Sequence, residues 1–137
     1  MEWQRDGYRV VDGSSAVNVE SVFRLLAETH WAARRPRDVV EKLIEHSLCF
    51  SLRYGEEQVG FARVATDYTV FSWLSDLVVA GPHRGRGIGE WLLACVLEHP
   101  AISRTQFVLQ TSDAHGLYER YGFQGSAKLM TRLPPAN

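Results

Sequence analysis

The residues Arg84-Gly85-Arg86-Gly87-Ile88-Gly89 alternate glycine with cationic or apolar side chains, directly after the apolar run Leu77-Val78-Val79-Ala80 and a Gly81-Pro82 break. That composition suits the binding of an anion. The first turn of a helix carries backbone N–H groups without intrahelical partners, and the helix dipole adds positive potential there. Glycines at 85, 87 and 89 tolerate φ > 0 and carry no Cβ, so a phosphate can approach the backbone closely. Arg84 and Arg86 add charged donors beside it. The apolar residues that follow, Ile88, Trp91, Leu92, Cys95 and Val96, recur at helical spacing. Strand, glycine turn and helix are therefore predicted, with the anion on the turn; a surface turn with two solvated arginines is the plainer alternative.

A second chemical feature is Asp76, a carboxylate within the apolar strand Ser72–Val79, between Leu74 and Val78 on one face, with Ser75 on the other. A carboxylate among apolar neighbours is either paired structurally or held with a raised pKa as a base, and the sequence leaves both open. Other chemistries are excluded. No Gly-Lys-Ser/Thr follows the glycine turn, and its spacing departs from the dinucleotide fingerprint. The five histidines form no HExxH pattern, so no metal is expected. Cys49 and Cys95 lie far apart in apolar segments and read as buried free thiols.

These residues need a scaffold, and the hydrophobic pattern supplies one. Tyr8–Asp12 reads as a first strand. Asn18 reads as an N-cap for a helix running to about His30, with Val19, Val22, Phe23 and Leu26 on its apolar face. The segment 31–36 breaks it. A second helix follows, with Val39, Val40, Leu43 and Ile44 apolar. Residues 48–54 alternate as a strand, 59–66 as its hairpin partner, and 70–79 as a third strand leading into the glycine turn. Asp67-Tyr68-Thr69 forms the turn between the last two. After the central helix, His99-Pro100 stops the pattern, and 107–110 is a short buried strand parallel to the one before the helix. A helix from about Asp113, its N-cap, to Tyr121 ends at Gly122 in a C′ position. Residues 124–133 have weaker strand character. The order is β-α-α-β-β-β-α-β-α-β, an α+β chain.

The 137 residues suit one domain spanning 1–137, and 45% hydrophobic against 23% charged residues is ordinary globular composition. A net charge of −1 gives no case for nucleic acid or a membrane surface as partner. With no signal peptide pattern and no apolar run long enough to span a bilayer, a cytoplasmic location is the default. A homodimer is the common default for oligomeric state.

The glycine turn resembles the pyrophosphate-binding motif of the GNAT superfamily of acyl-CoA-dependent N-acyltransferases, Arg/Gln-x-x-Gly-x-Gly/Ala, met by Arg84, Gly87 and Gly89. The family's C-terminal signature, Ala-x-x-x-Tyr-x-x-x-Gly-Phe, is matched in full from Ala114 to Phe123, through Tyr118 and Gly122. The element order also matches. The resemblance implies the GNAT fold, a mixed central sheet of six to seven strands flanked by about four helices, and acetyl-CoA as co-substrate. It places the cofactor on Leu77, Val78, Val79, Arg84, Gly85, Arg86, Gly87, Ile88 and Gly89, with the N–H groups near Leu77 and Val79 holding the acyl carbonyl and pantetheine.

It also implies Tyr118 as general acid. A phenol of pKa about 10 can protonate a departing thiolate without being ionised at pH 7; otherwise Tyr118 is a packing aromatic. The Asn that many members use on the pantetheine arm is replaced by Thr111, beside Ser112 and Asp113. Asp76 is the candidate base, with ordered water as the alternative. The acceptor is expected under the first two helices, near Trp31, Arg34 and Arg35, with Asp76 and Tyr68 bordering it. Its chemical class is a small-molecule amine or a peptide or protein amine. The implied activity is acetyl transfer to a primary amine in a ternary complex; the rivals are a non-catalytic acyl-CoA-binding module on the same fold and a nucleotide-phosphate binder unrelated to CoA.

Overall fold

Asp6-Gly7, with φ of 50° and 84°, makes the two-residue turn that joins β1 (Glu2–Arg5) to β2 (Tyr8–Asp12). The computed structural model describes residues 1–136. β1 is additional to the strands expected from hydrophobic pattern, because only one of its four residues is even partly buried. Asn18 accepts from the Ser21 N–H at 2.9 Å and caps α1 (Val19–Ala27), as expected. α2 (Arg37–Glu45) starts after Pro36, whose fixed φ suits a helix entry. The strands β3 (Leu48–Tyr54), β4 (Glu57–Thr66) and β5 (Phe71–Val79) then meander. α3 (Ile88–Glu98) crosses over to β6 (Gln106–Val108), and the short α4 (His115–Glu119) follows.

The six strands form one mixed sheet in the order β1-β2-β3-β4-β5-β6, antiparallel except for the parallel pair β5–β6. This is the expected α+β architecture, with six strands and four α-helices among the described residues. No seventh strand forms among the described residues: 124–133 are exposed and outside any strand, with Met130 95% accessible. Their apolar residues are too few and too irregular to hold a strand against the sheet.

Each face of the sheet has its own core. α3 covers one, where Ile88, Leu92, Leu93, Cys95 and Val96 pack on Val10, Phe50, Leu52, Ala62, Val64 and Leu74. α1 and α2 cover the other, where Val22, Leu26, Val40 and Ile44 pack on Cys49, Phe61 and Val78. Each fully buried aliphatic side chain contributes about 1.5–3 kcal/mol by removal from water.

Two irregularities decide which side chains face which core. Between β4 and β5 the register runs Arg63↔Ser75 and then Phe61↔Val78. Ala62 alone thus faces both Asp76 and Leu77, a β-bulge in which Asp76 takes φ 55°. The extra residue changes the parity of the strand: Leu74 packs under α3, whereas Val78 packs under α1 and α2. The expectation that Leu74, Asp76 and Val78 share one face, with Ser75 opposite, is therefore overturned. A second shift lies between Leu52 and Arg53 on β3.

Gly60 allows the close approach of three strands. A Cβ there would lie 2.7 Å from Leu52 Cδ2 and 2.9 Å from the Val78 carbonyl oxygen. Gly60→Ala is expected to lower unfolding free energy by about 1–3 kcal/mol, as overpacking does. Equilibrium denaturation in urea checks this, and a variant as stable as the parent would mean the strands separate without cost.

Candidate active site

β5 and β6 pair only along Phe71–Trp73 and Gln106–Val108. Beyond Trp73 the two diverge, which leaves one edge of β5 open. The Ala80 N–H donates to the Val59 carbonyl of β4 at 2.7 Å. Alternation along a strand then turns the N–H groups of Val79 and Leu77 to the opposite, open edge. The opening holds a cavity of about 620 Å³. Leu74, Ser75, Asp76 and Leu77 line one side, residues 109–114 with Leu117 and Tyr118 the other, and His30, Trp31 and Arg35 the end beneath the α1–α2 connection. A second cavity of about 290 Å³ shares His30, Trp31, Leu77 and Asp113 with it and extends to Val78, Val79 and Arg84.

The glycine turn begins at that far end. Arg84 Nε donates to the Val79 carbonyl at 2.8 Å, which ties the turn to the end of β5. Gly85 and Gly87 take φ of 80° and 74°, and a Cβ added at either would meet nothing within 4 Å. Gly89 differs from expectation: it lies inside α3 with ordinary helical φ, its absent Cβ facing Val79. Among the described residues no acceptor takes the N–H of Gly87, Ile88 or Gly89. The free donors, the helix dipole and the open backbone fit a diphosphate. Ile88 and Val78 are buried, so they can offer a ligand only backbone. Arg86 lines neither cavity; its Nη1 lies 3.5 Å from the Tyr8 hydroxyl, which pairs with His83 Nδ1 at 2.7 Å.

Tyr118 enters from α4, half-buried, with its ring edge-on to Phe123 at 5.7 Å. Tyr118 lines the larger cavity, and its hydroxyl has no hydrogen-bond partner among the described residues. Burial, assisted by the charge of Asp113, pushes its pKa above the ordinary 10.0. The phenol therefore stays protonated across neutral pH. Thr111 lines the same wall, and its Oγ1 accepts from the Ala114 N–H at 3.0 Å. Asp113 is not the N-cap of the last helix: the cap position is Ala114, and the exposed Asp113 carboxylate lies 3.8 Å from His30 Nε2.

Asp76 has a fully buried side chain in the cavity wall. Its Oδ1 accepts from Trp31 Nε1 at 2.8 Å, and its Oδ2 accepts from Arg35 at 2.7 Å and Arg63 at 2.6 Å. Burial pushes the carboxyl pKa up, but the guanidinium of Arg63 and then that of Arg35 outweigh it, and the group lies below its ordinary 3.8. Of the two readings open from sequence, the paired one holds and the raised pKa does not. An ionised carboxylate with both oxygens engaged is a weak base.

Tyr68 does not reach the site. Asp67 Oδ1 gathers the N–H groups of Thr69, Val70 and Phe71 into a tight turn, and Tyr68, at φ 61°, lies exposed and lines neither cavity. Arg34 is exposed as well and lines neither cavity. Trp73, Arg63 and His30 belong to the site or its support and were not among the expected residues. Arg63 carries the same signal as Asp76, a charge inside an apolar strand. Cys49 and Cys95 are buried free thiols, pushed up to about 11 and about 12 by desolvation. Neither lines the cavity.

A family model for the acetyltransferase (GNAT) domain matches residues 45–125, from the end of α2 to just past α4. The chain belongs to the GNAT acetyltransferase family. A GNAT-family protein of known crystal structure from Xanthomonas campestris pv. campestris is 39% identical, with a TM-score of 0.89 over 96% of each chain. A relative from Gibberella zeae, named as an acetyltransferase, is 28% identical over 116 residues, and the chain spans 66% of that relative's length. A GNAT family acetyltransferase from Elizabethkingia anophelis, solved with acetyl-CoA bound, shares the fold at a TM-score of 0.68 and 17% identity, over 88% of this chain and 78% of that one. The GNAT family match contains the glycine turn, Asp76 and Tyr118 but leaves out Trp31 and Arg35.

Asp76→Asn removes the charge that two guanidiniums share, and is expected to cost about 3 kcal/mol at pH 7, the low end for a broken buried pair. The wild-type pKa is depressed in the fold, so this stability is present above the ordinary 3.8 and lost as pH falls through the lower folded value. Urea midpoints of both proteins from pH 7 downward should converge at acid pH. Parallel curves would mean that Asp76 is not the linked group.

Proposed function

We propose that the protein moves the acetyl group of acetyl-CoA to the nitrogen of an amine by direct attack in a ternary complex. The observation that carries this reading is the unpartnered Tyr118 hydroxyl in a cavity that opens along the free edge of β5 and continues to the glycine turn. The co-substrate supplies an acetyl thioester. Arg84, Gly85, Gly87 and the N–H groups opening α3 would hold its diphosphate. The N–H groups of Leu77 and Val79 would donate along the open edge of β5 to pantetheine and the acyl oxygen, where a fixed donor favours the developing oxyanion. Thr111 and Asp113 would border the pantetheine arm.

The chemistry forms one N–C bond and breaks one C–S bond. The sulfur leaves as a thiolate and takes its proton from Tyr118, which burial keeps protonated. The nitrogen gives up a proton to water, since Asp76 is ionised and fully engaged. An amine of pKa near 10 reaches the site mostly as its ammonium, so turnover rises with pH toward that value. Tyr118 imposes no alkaline loss below its ordinary 10.0, because its own pKa lies higher.

Tyr118→Phe should lower kcat by about 100-fold or more with acetyl-CoA affinity retained. Thiol release measured with a panel of amines, beside calorimetric titration of acetyl-CoA, checks both halves. Full turnover in the variant would remove the acid role, and acetyl-CoA binding with no thiol released for any amine would favour a binding module instead. Gly87→Val places a β-branched residue at φ 74° and should abolish acetyl-CoA binding, with Gly89→Ala milder because residue 89 is helical. Equal affinity for wild type and Gly87→Val would show that the diphosphate lies elsewhere.

A further inference from the structure

Two arginines share one carboxylate at the end of the larger cavity. Arg35 and Arg63 both donate to Oδ2 of Asp76, and Trp31 donates to Oδ1, so both carboxylate oxygens are already engaged. The three charges sum to one positive unit. Arg63 stands behind the wall: its remaining amino groups face the Ser47 and Ser75 hydroxyls at 3.4 Å, and it does not line the cavity. Arg35 lines it, its side chain is 27% exposed, and its Nε and Nη2 have no partner among the described residues. The uncompensated charge and the free donors therefore belong to the same guanidinium, on the side where an acceptor would enter.

That guanidinium is also held in place. Asp76 fixes Nη1, and the loop carrying Arg35 is tied down at Thr29, whose hydroxyl donates to the Leu26 carbonyl at 2.7 Å and accepts from the Ala32 N–H at 3.0 Å. A planar fork fixed at one nitrogen presents the others in a defined plane, the geometry that recognises a carboxylate. Trp31 and Trp73 supply apolar surface to the same cavity. The other charged group on the cavity, Asp113, lies with His30 where the two cavities meet, and Arg35 does not line that second cavity. Arg35 thus gives one end of the cavity a positive charge that the Asp113 carboxylate does not neutralise. One excess unit of charge matches a monoanion better than a phosphate dianion.

We propose that the acceptor is an amino-carboxylate, a molecule bearing both the amine to be acetylated and a carboxylate, and that Arg35 binds the carboxylate. The assignment rests on the N-acetyltransferase reading and adds the class of acceptor to it. The same positive charge favours the uncharged form of a nearby amine, which aids attack on the thioester.

Matched acceptors test it: amino acids, the corresponding amines without the carboxylate, and the corresponding carboxamides, each assayed by thiol release with wild type, Arg35→Gln and Arg35→Lys. In the wild type, kcat/KM should favour the carboxylate-bearing member about 10-fold or more, the scale of one charge-assisted bidentate contact. Arg35→Gln should erase that preference through KM, with acetyl-CoA affinity by calorimetry unchanged, and Arg35→Lys should restore part of it. The deaminated carboxylic acids should compete with the amine in the wild type and not in Arg35→Gln. Thermal unfolding of each variant reports whether loss of the Asp76 pairing has harmed the fold, and the wild-type preference alone decides the matter if it has. Equal or better use of carboxylate-free amines overturns the assignment and leaves acetyl transfer standing. Failure of every amine in all three sets, with acetyl-CoA bound, overturns the transferase reading and this one with it.

Discussion

The buried carboxylate of Asp76 ties together two neighbouring strands and the connection between two helices. It sits on the β5 bulge, pairs with Arg63 of the neighbouring strand, and reaches Trp31 and Arg35 in the connection between α1 and α2. Removing such a charge from water costs several kcal/mol, which opposite charges and well-aligned hydrogen bonds must offset. Both oxygens are used and two guanidiniums are present, so the offset is available. The consequence is geometric as much as energetic. The α1–α2 connection is held against the same residues whose backbone lines the cavity, and the bulge is held at a φ that a non-glycine residue seldom adopts.

That bulge also explains why there is a cavity at all. β5 pairs with β4 through its length, yet with β6 for three residues only. The bulge bends and twists β5 where the β6 pairing stops, and β6 carries on toward α4 instead. Backbone donors that would have entered a ladder are left free along the open edge of β5. At the far end of that edge Arg84 caps the Val79 carbonyl, and the chain turns through Gly85 and Gly87 into α3. Free N–H groups on a strand edge and free N–H groups on a helix start thus follow one another along a continuous path, one suited to amide and acyl oxygens, the other to phosphate.

Most of the scaffold was readable in the sequence because its elements obey a single period. The alternation from Leu48 to Tyr54, the helical spacing from Ile88 to Val96 and the Asn18 cap each produced the element expected of them. The failures have separate physical causes. β1 is mostly exposed and lacks an apolar face, so the hydrophobic pattern does not mark it. The tail beyond Gln124 has too few and too irregular apolar residues to hold a strand, and it lies exposed. Asp76 was found as an isolated charge in an apolar strand, but its facing was misjudged because period-2 counting fails across a bulge. Arg63 has the same signature in the adjacent strand, and pairing the two anomalies would have pointed to a structural ion pair. Trp73 and His30 are ordinary residues until the fold brings them to one cavity, which no local pattern encodes.

The two ends of the cavity stand in different relation to the family. The glycine turn, β5 and Tyr118 lie within the matched residues 45–125, while Trp31 and Arg35 lie before them in the α1–α2 connection. Recognition of a diphosphate and departure of a thiolate make the same demands whatever the acceptor is, so a shared set of residues can serve them. Choice of acceptor makes demands that vary with the acceptor's shape and charge, and a connection between helices can change without disturbing a sheet. In this chain the α1–α2 connection is anchored to the residues of the family match, through Asp76. The residue that looked from sequence like a base is better understood as the fastening between the two, because its proton affinity has been traded for two guanidinium partners and an indole. A carboxylate so engaged has little proton affinity left, and it holds the Arg35 guanidinium at the end of the cavity.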